Sequence, residues 1–180
     1  INKNFKLNSN CYNREELLKF SLKNIENNNI DLIDLSNFIL EVFNQESFIL
    51  CKTSGSTGEP KVIKLEKTSL LNSVNLTKDY FNLKPGYSAI SFLPMNFIAG
   101  KMMLFRAMVI GLNLQLNKPT SNPSKFINKN YFFSAMTPMQ ASNSINKLKY
   151  INKLILGGSK VSNSLSSNIL SKIDTYYETY

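Results

Sequence analysis

The sequence predicts an α/β fold with a mostly parallel sheet and flanking helices. Three observations carry this. From about residue 87 onward, short apolar runs of strand length alternate with segments of helical spacing. That order builds βαβ units with right-handed crossovers. Breakers punctuate the alternation at Lys84-Pro85-Gly86, Pro94, Gly111, Pro138 and Gly157-Gly158. Finally, 180 residues with 43% hydrophobic and 18% charged side chains suffice for one domain with a real core. No internal repeat or low-complexity linker divides the chain.

Taken in order, residues 1–12 carry little pattern. Asn13 precedes Arg14-Glu15-Glu16, a helix start with its glutamate three residues on. Leu17, Leu18, Phe20, Leu22 and Ile25 form the apolar face, and Asn27-Asn28-Asn29 ends the helix. Ser36 starts a second helix with Phe38, Ile39, Val42 and Phe43 inward. Both helices read as scaffold, so 1–46 is a helical lead-in. Ser47–Lys52 is a short apolar strand and Lys61–Leu65 alternates with a period of two, so 47–66 reads as a hairpin around a polar loop.

Thr68 or Ser69 then caps a helix carrying Leu70, Leu71, Val74, Leu76 and Phe81. Residues 67–180 supply the βα units. Tyr87–Leu93 is a buried strand ended by Pro94. A helix from about Ile98 to Ile110 is stopped by Gly111. Leu112–Leu116 is a strand and Lys118–Pro123 a loop. Tyr131–Met136 is a strand, Thr137-Pro138 is a cap with proline at the first helical position, and the helix runs to about Lys147. Lys153–Leu156 is a strand ending in Gly157-Gly158. Ser162 caps a last helix to about Ile173, and Thr175–Thr179 is a final strand. Ligands of such sheets lie beyond the carboxyl ends of the strands. Here those positions are Pro94–Phe97, Met136–Pro138, Gly157–Ser159 and Tyr180.

Composition removes several function classes. The chain has no histidine, which excludes a Ser-His-Asp triad, His-based general base catalysis and a His-rich metal site. No Cys/Asp cluster replaces them, so no metal ligand is assigned. Cys11 and Cys51 have no evident reason to pair, and two free thiols fit a reducing cytosol. The apolar stretch 98–112 is interrupted by Gly100, Lys101, Arg106 and Gly111, which argues against a membrane span. No signal peptide opens the chain. The expected location is the cytoplasm. The formal charge of +9 comes from lysines scattered singly, without the aromatic interleaving of a nucleic-acid module, and reads as a solvated basic surface.

The stretch with the strongest chemistry is Thr53-Ser54-Gly55-Ser56-Thr57-Gly58-Glu59-Pro60-Lys61. Its glycines allow close approach to backbone N–H groups, its hydroxyls donate, and Lys61 adds a mobile positive charge. That inventory suits a polyphosphate. It is not the usual nucleotide loop, because the lysine does not directly follow the last glycine.

The order T-S-G-S-T-G-x-P-K resembles the signature of the acyl-adenylate-forming (AMP-binding) superfamily. The resemblance spans about residues 36–180 and about the first half of such an enzyme. It implies part of the large N-terminal domain, with the C-terminal domain absent, and an ATP-dependent acid–CoA ligase. It also implies that Thr53, Ser54, Gly55, Ser56, Thr57, Gly58 and Lys61 hold the β- and γ-phosphates of ATP, with Lys61 as the catalytic cation. Gly157, Gly158 and Ser159 resemble the turn along the adenine, where the residues alone also admit a plain left-handed turn. Glu178, Thr179 and Tyr180 resemble the aromatic segment beside it. The Thr and Glu that hold the α-phosphate and magnesium in relatives are expected beyond Tyr180. Asn96 and Phe97, with Met136, are expected at the acid pocket. Many relatives carry histidine where Phe97 stands.

Within the superfamily, the run from Leu93 to Ala107 and the short lead-in are most similar to the o-succinylbenzoate–CoA ligases of menaquinone biosynthesis. A substrate with a second carboxylate needs a cation, and Lys101 and Arg106 are the candidates in the acid pocket. Their alternative role is as structural charges. ATP, Mg2+ and coenzyme A are the implied cofactors and co-substrates, with a small acid as the substrate. The 180 residues alone are expected to lack ligase turnover and to expose an apolar edge near Tyr176–Tyr180. The competing readings are another aryl- or acyl-CoA synthetase, or a stand-alone nucleotide- or acyl-binding module, homo-oligomeric through that edge.

Overall fold

The computed structural model of the chain describes residues 1–52, 61–173 and 175–179. Its main sheet has seven strands. They are β1 (Lys6–Leu7), β2 (Asn10–Cys11), β5 (Ser88–Ser91), β6 (Asn113–Leu116), β7 (Tyr131–Met136), β8 (Ile151–Leu156) and β9 (Tyr176–Glu178). β3 (Phe48–Lys52) and β4 (Val62–Glu66) form a separate two-stranded antiparallel ribbon. The sheet order is β2-β1-β6-β5-β7-β8-β9, parallel throughout except for the β1–β2 hairpin. From β5 the chain moves to β6 on one side, then returns past β5 to β7. The order therefore reverses beside β5, and a ligand crevice forms outside the carboxyl ends there.

Among the described residues six α-helices complete the fold: α1 (Arg14–Glu26), α2 (Ile33–Phe43), α3 (Lys67–Tyr80), α4 (Ile98–Ile110), α5 (Pro138–Asn143) and α6 (Asn163–Leu170). The sheet is buried on both faces. Ala89, Phe133, Ala135 and Ile155 pack with α1 to α4, while Ile90, Met136, Leu154 and Leu156 pack with α5 and α6. Consecutive residues of a strand point to opposite faces, so one run of apolar residues serves both layers.

The local signals explain most boundaries. Asn13 caps α1 by accepting from the Glu16 N–H at 3.0 Å, and the Glu16 carboxylate accepts from the Asn13 N–H at 2.8 Å. Thr137 and Gln140 make the same reciprocal cap on α5. Gly111 ends α4 in the left-handed region at φ 90°.

Several expectations need correction. Residues 1–12 form β1 and β2, joined by Asn8 and Ser9 at φ 50° and 70°; Asn and Ser tolerate that conformation in tight turns. α2 begins at Ile33, three residues before Ser36. α3 begins at Lys67, before Thr68 and Ser69, because the Lys67 N–H is taken by Ser47 O at 2.7 Å. The helix expected from Pro138 to Lys147 breaks at Ser144, whose hydroxyl donates to Gln140 O at 2.6 Å, and continues as a 3₁₀ turn over Ile145–Tyr150. β8 starts two residues early, at Ile151. α6 stops at Leu170 rather than Ile173. β5 is shorter than Tyr87–Leu93, though Phe92 and Leu93 are buried.

α4 is apolar nearly all round and buried on most of its surface. Its first turn lies against the end of β5. A Cβ on Gly100 would sit 2.2 Å from the Pro94 carbonyl oxygen and 3.0 Å from that of Leu93. Both are backbone atoms and cannot swing away. Gly100→Ala is expected to lower stability by about 1–3 kcal/mol through overpacking, read as a lower urea midpoint; an unchanged midpoint would contradict this packing.

Candidate active site at the carboxyl ends of the sheet

The β3–β4 ribbon is the first part of the site. Lys52 pairs with Val62 at its open end, and Lys61 stands directly before Val62. Thr53, Ser54, Gly55, Ser56, Thr57 and Gly58 lie between these positions, outside the described residues. An isolated parallel bridge joins Lys52 to Phe97. That bridge brings the mouth of the hairpin to the turn after β5, at the reversal of the strand order.

The second part is the neighbouring strand ends. Gly157 N donates to Met136 O at 3.1 Å, and Thr179 N donates to Leu156 O at 2.8 Å. A Cβ on Gly157 would meet Thr179 Oγ1 at 2.7 Å, so a side chain here would make the Thr179 hydroxyl turn away. Gly158 has φ 88°, the left-handed turn that the sequence admits. Gly157, Gly158 and Thr179 are thus brought together, with Ser159 exposed beside them. Glu178 is exposed and accepts from the Tyr176 hydroxyl at 3.2 Å. Tyr180 is outside the described residues. β5 and β8 are two strands apart, about 10 Å at ordinary strand spacing.

The five residues expected at the acid pocket separate. Asn96 is half-buried, and its Oδ1 is closed off from solvent without a hydrogen-bond partner among the described residues. It lines a cavity of about 220 Å³ together with Phe38, Glu41, Cys51, Lys52 and Lys101. Phe97 is half-buried at the bridge to Lys52. Lys101 is buried and already engaged: its Nζ lies 3.1 Å from Glu41 Oε2 and 2.6 Å from Leu50 O. Met136 is 1% exposed and packs in the core beside α5 and α6, on the far face of the sheet from α4. Arg106 lies further along α4 and lines neither this cavity nor the larger one described next.

That larger cavity, about 710 Å³, opens beside the ends of β1, β5 and β6 and includes Leu7, Tyr12, Phe20, Met95 and Asn117. Lys118 and Asp31 pair across its rim at 2.6 Å. Glu41 and Gln140 are residues of consequence that the sequence reading missed. Gln140 Nε2 donates to Phe92 O at 3.2 Å and Thr120 O at 2.8 Å, tying two strand-end loops together. The signal for Glu41 was available, since it is a lone acid among Ile39, Leu40, Val42 and Phe43.

Electrostatics follow burial. The Cys51 thiol is held above its ordinary value by burial, opposed by Lys101 and reinforced by Glu41. Burial lowers Arg106 to about 10, and its Nε has no hydrogen-bond partner among the described residues. Among the described residues no group of three Cys, Asp or Glu is placed to hold a metal ion. Among the described residues no helix is long and apolar enough to cross a membrane.

The sequence pattern of AMP-binding enzymes matches residues 15–175. The chain belongs to the AMP-binding enzyme family. The fold agrees with solved members and relatives. An acyl-CoA synthetase (AMP-forming)/AMP-acid ligase II-like protein from Dyadobacter fermentans superposes with a TM-score of 0.72 at 30% identity, covering 83% of this chain and 45% of that one. The o-succinylbenzoate coenzyme A synthetase of Bacillus subtilis, in complex with AMP, gives a TM-score of 0.61 at 18% identity, with 72% and 29% covered. That level of identity speaks for the fold alone. The D-alanine–D-alanyl carrier protein ligase of Lacticaseibacillus casei is 34% identical over 74 residues, 41% of this chain and 15% of the ligase. The AMP-binding chain thus spans less than half of each of these proteins.

A largely desolvated cation whose Nε has no partner among the described residues disfavours the folded state, so Arg106 gives a prediction. The penalty is present below about pH 10 and is relieved as pH rises above it, where the unfolded chain still binds the proton that the folded one releases. Arg106→Met is expected to raise the melting temperature at pH 8, by about 2–4 °C for each kcal/mol gained. The advantage over wild type should shrink by pH 11. A lower melting temperature at pH 8 would show that the guanidinium is well satisfied.

Proposed function

We propose that this chain is the nucleotide-binding part of an ATP-dependent acid–CoA ligase whose acid is o-succinylbenzoate. The observation that carries the reading is the position of the T-S-G-S-T-G-E-P-K segment. It connects the two strands of a ribbon whose mouth docks on Phe97, beside the strand ends that hold Gly157, Gly158 and Thr179. Membership of the AMP-binding family supports the same chemistry.

In this reading the acid's carboxylate oxygen attacks the α-phosphorus of ATP. The α–β phosphoanhydride bond breaks, pyrophosphate leaves, and an acyl-adenylate forms. The thiol of coenzyme A then attacks the acyl carbon and AMP leaves with the bonding pair. Lys61 and the donors of residues 53–58 take up charge on the leaving pyrophosphate, where charge-assisted hydrogen bonds contribute about 1.5–3 kcal/mol each. Gly158 leaves room for a flat base at the end of β8, with Ser159, Glu178 and Thr179 near it and Tyr180 assigned to it by the sequence pattern. Asn96 and Phe97 border the acid, whose second carboxylate needs a cation that Arg106, lining neither cavity, does not supply in this arrangement. The charge distribution favours such substrates: residues 80–173 contain eleven Lys and Arg and no Asp or Glu. A field of one sign raises the local concentration of anions.

D-alanine as the acid is the second reading, supported by the 34% identity to carrier protein ligases. Acid-dependent exchange of labelled pyrophosphate into ATP separates the two, using protein expressed from its full reading frame. Exchange with o-succinylbenzoate and not with D-alanine is expected, and the reverse would replace the proposed substrate. In the same protein, Lys61→Ala should slow adenylate formation by about two orders of magnitude or more, with much less effect on thioester formation from preformed adenylate. Equal slowing of both half-reactions would remove Lys61 from the pyrophosphate.

A further inference from the structure

Lys101 and Glu41 are lone charges in apolar stretches of α4 and α2, and the fold brings them together against one residue of β3. The Glu41 carboxylate accepts from the Leu50 N–H through Oε1 and from Lys101 Nζ through Oε2, the latter at 3.1 Å. Lys101 Nζ also donates to Leu50 O at 2.6 Å. The ion pair therefore satisfies both backbone polar groups of Leu50. In an antiparallel ladder, alternate residues turn these groups away from the partner strand. The pair acts as a side-chain substitute for a neighbouring strand on that edge. The Lys101 ammonium also lies 5.0 Å from the centre of the Phe38 ring. Both side chains are largely withdrawn from solvent, at 10% and 20% exposure.

This contact has mechanical consequences. A two-stranded ribbon is marginal on its own. The β3–β4 ribbon gains its seat from Leu50, held to α2 and α4, and from Lys52, bridged to Phe97 two residues later. Leu50 is three positions before Thr53, where the phosphate segment begins. Lys101 belongs to the first turn of α4, next to Gly100 and its contact with Pro94. One ion pair thus ties the ribbon to the strand-end crevice.

We propose that Lys101 and Glu41 are a positioning pair, which sets the polyphosphate end of the nucleotide site relative to the adenine end. This rests on the nucleotide-binding reading above and gives Lys101 a role other than contact with the acid. The pair touches no phosphate itself. Its loss should loosen the ribbon and leave the turn at Gly157 and Gly158 in place.

The test compares affinities for ATP and for AMP in wild type, Lys101→Met and Glu41→Gln, by calorimetry well below the melting temperature. AMP reports the adenine end, and only ATP carries the β- and γ-phosphates. Lys101→Met is expected to weaken ATP about tenfold, equal to about 1.4 kcal/mol, with AMP unchanged to within about twofold. Glu41→Gln keeps the size and one acceptor and should show the same split at smaller amplitude. It serves alone if the methionine variant fails to fold. Parallel weakening of ATP and AMP, or no change in either, would overturn the positioning role, since a merely structural pair does not distinguish the two nucleotides. A wild-type protein that binds neither nucleotide would instead remove the nucleotide reading, and this proposal with it.

Discussion

The close approach of α4 to the end of β5 governs the geometry of the site. Residue 100 can only be glycine, because the Pro94 carbonyl occupies the space that a Cβ would need. With that contact made, the first turn of α4 is fixed relative to the sheet. Lys101 then emerges toward α2 and β3, where Glu41 and the Leu50 carbonyl receive it. The hairpin is held in turn, and its mouth meets Phe97. A buried ion pair is weak evidence for stability, since desolvation offsets the attraction. Its value here is directional: the pair specifies where one ribbon sits.

The sheet supplies the other half of the arrangement. Parallel strands place all their carboxyl ends on one side, and the return past β5 opens a crevice there. Gly157 at the end of β8 lies close against the Thr179 hydroxyl. Two glycines with different surroundings therefore bracket the region, one beneath the β3–β4 ribbon and one at the turn after β8. The stretch between Asp79 and Asp174, free of acidic residues, adds a favourable field for anions.

Much of this was legible in the sequence where the determinant is local. The capping boxes at Asn13 and Thr137, the stop at Gly111 and the parallel alternation after residue 87 depend on neighbours within a few positions, and the structure agrees with them. The failures have tertiary causes. β1 and β2 are two residues each, too short to show a period, and exist because β6 accepts β1 in parallel. α3 starts early because Lys67 is held by Ser47 and Asn44 across the chain. Lys101 and Arg106 looked alike, as single cations in one apolar helix. Only the fold shows that one meets Glu41 and the other has no partner for its Nε among the described residues. The role of Glu41 rests on contacts 9 and 60 residues away, which no local pattern encodes.

The ribbon and the strand ends are proposed to form one nucleotide site with its polyphosphate end at the ribbon. Phosphorus NMR of ATP titrated with the protein tests it most directly. The account predicts that the β- and γ-phosphorus signals shift and broaden, and that Thr57→Ala together with Lys61→Ala abolishes those shifts. ATP signals that stay at their free positions, or shifts that survive removal of both side chains, would contradict it.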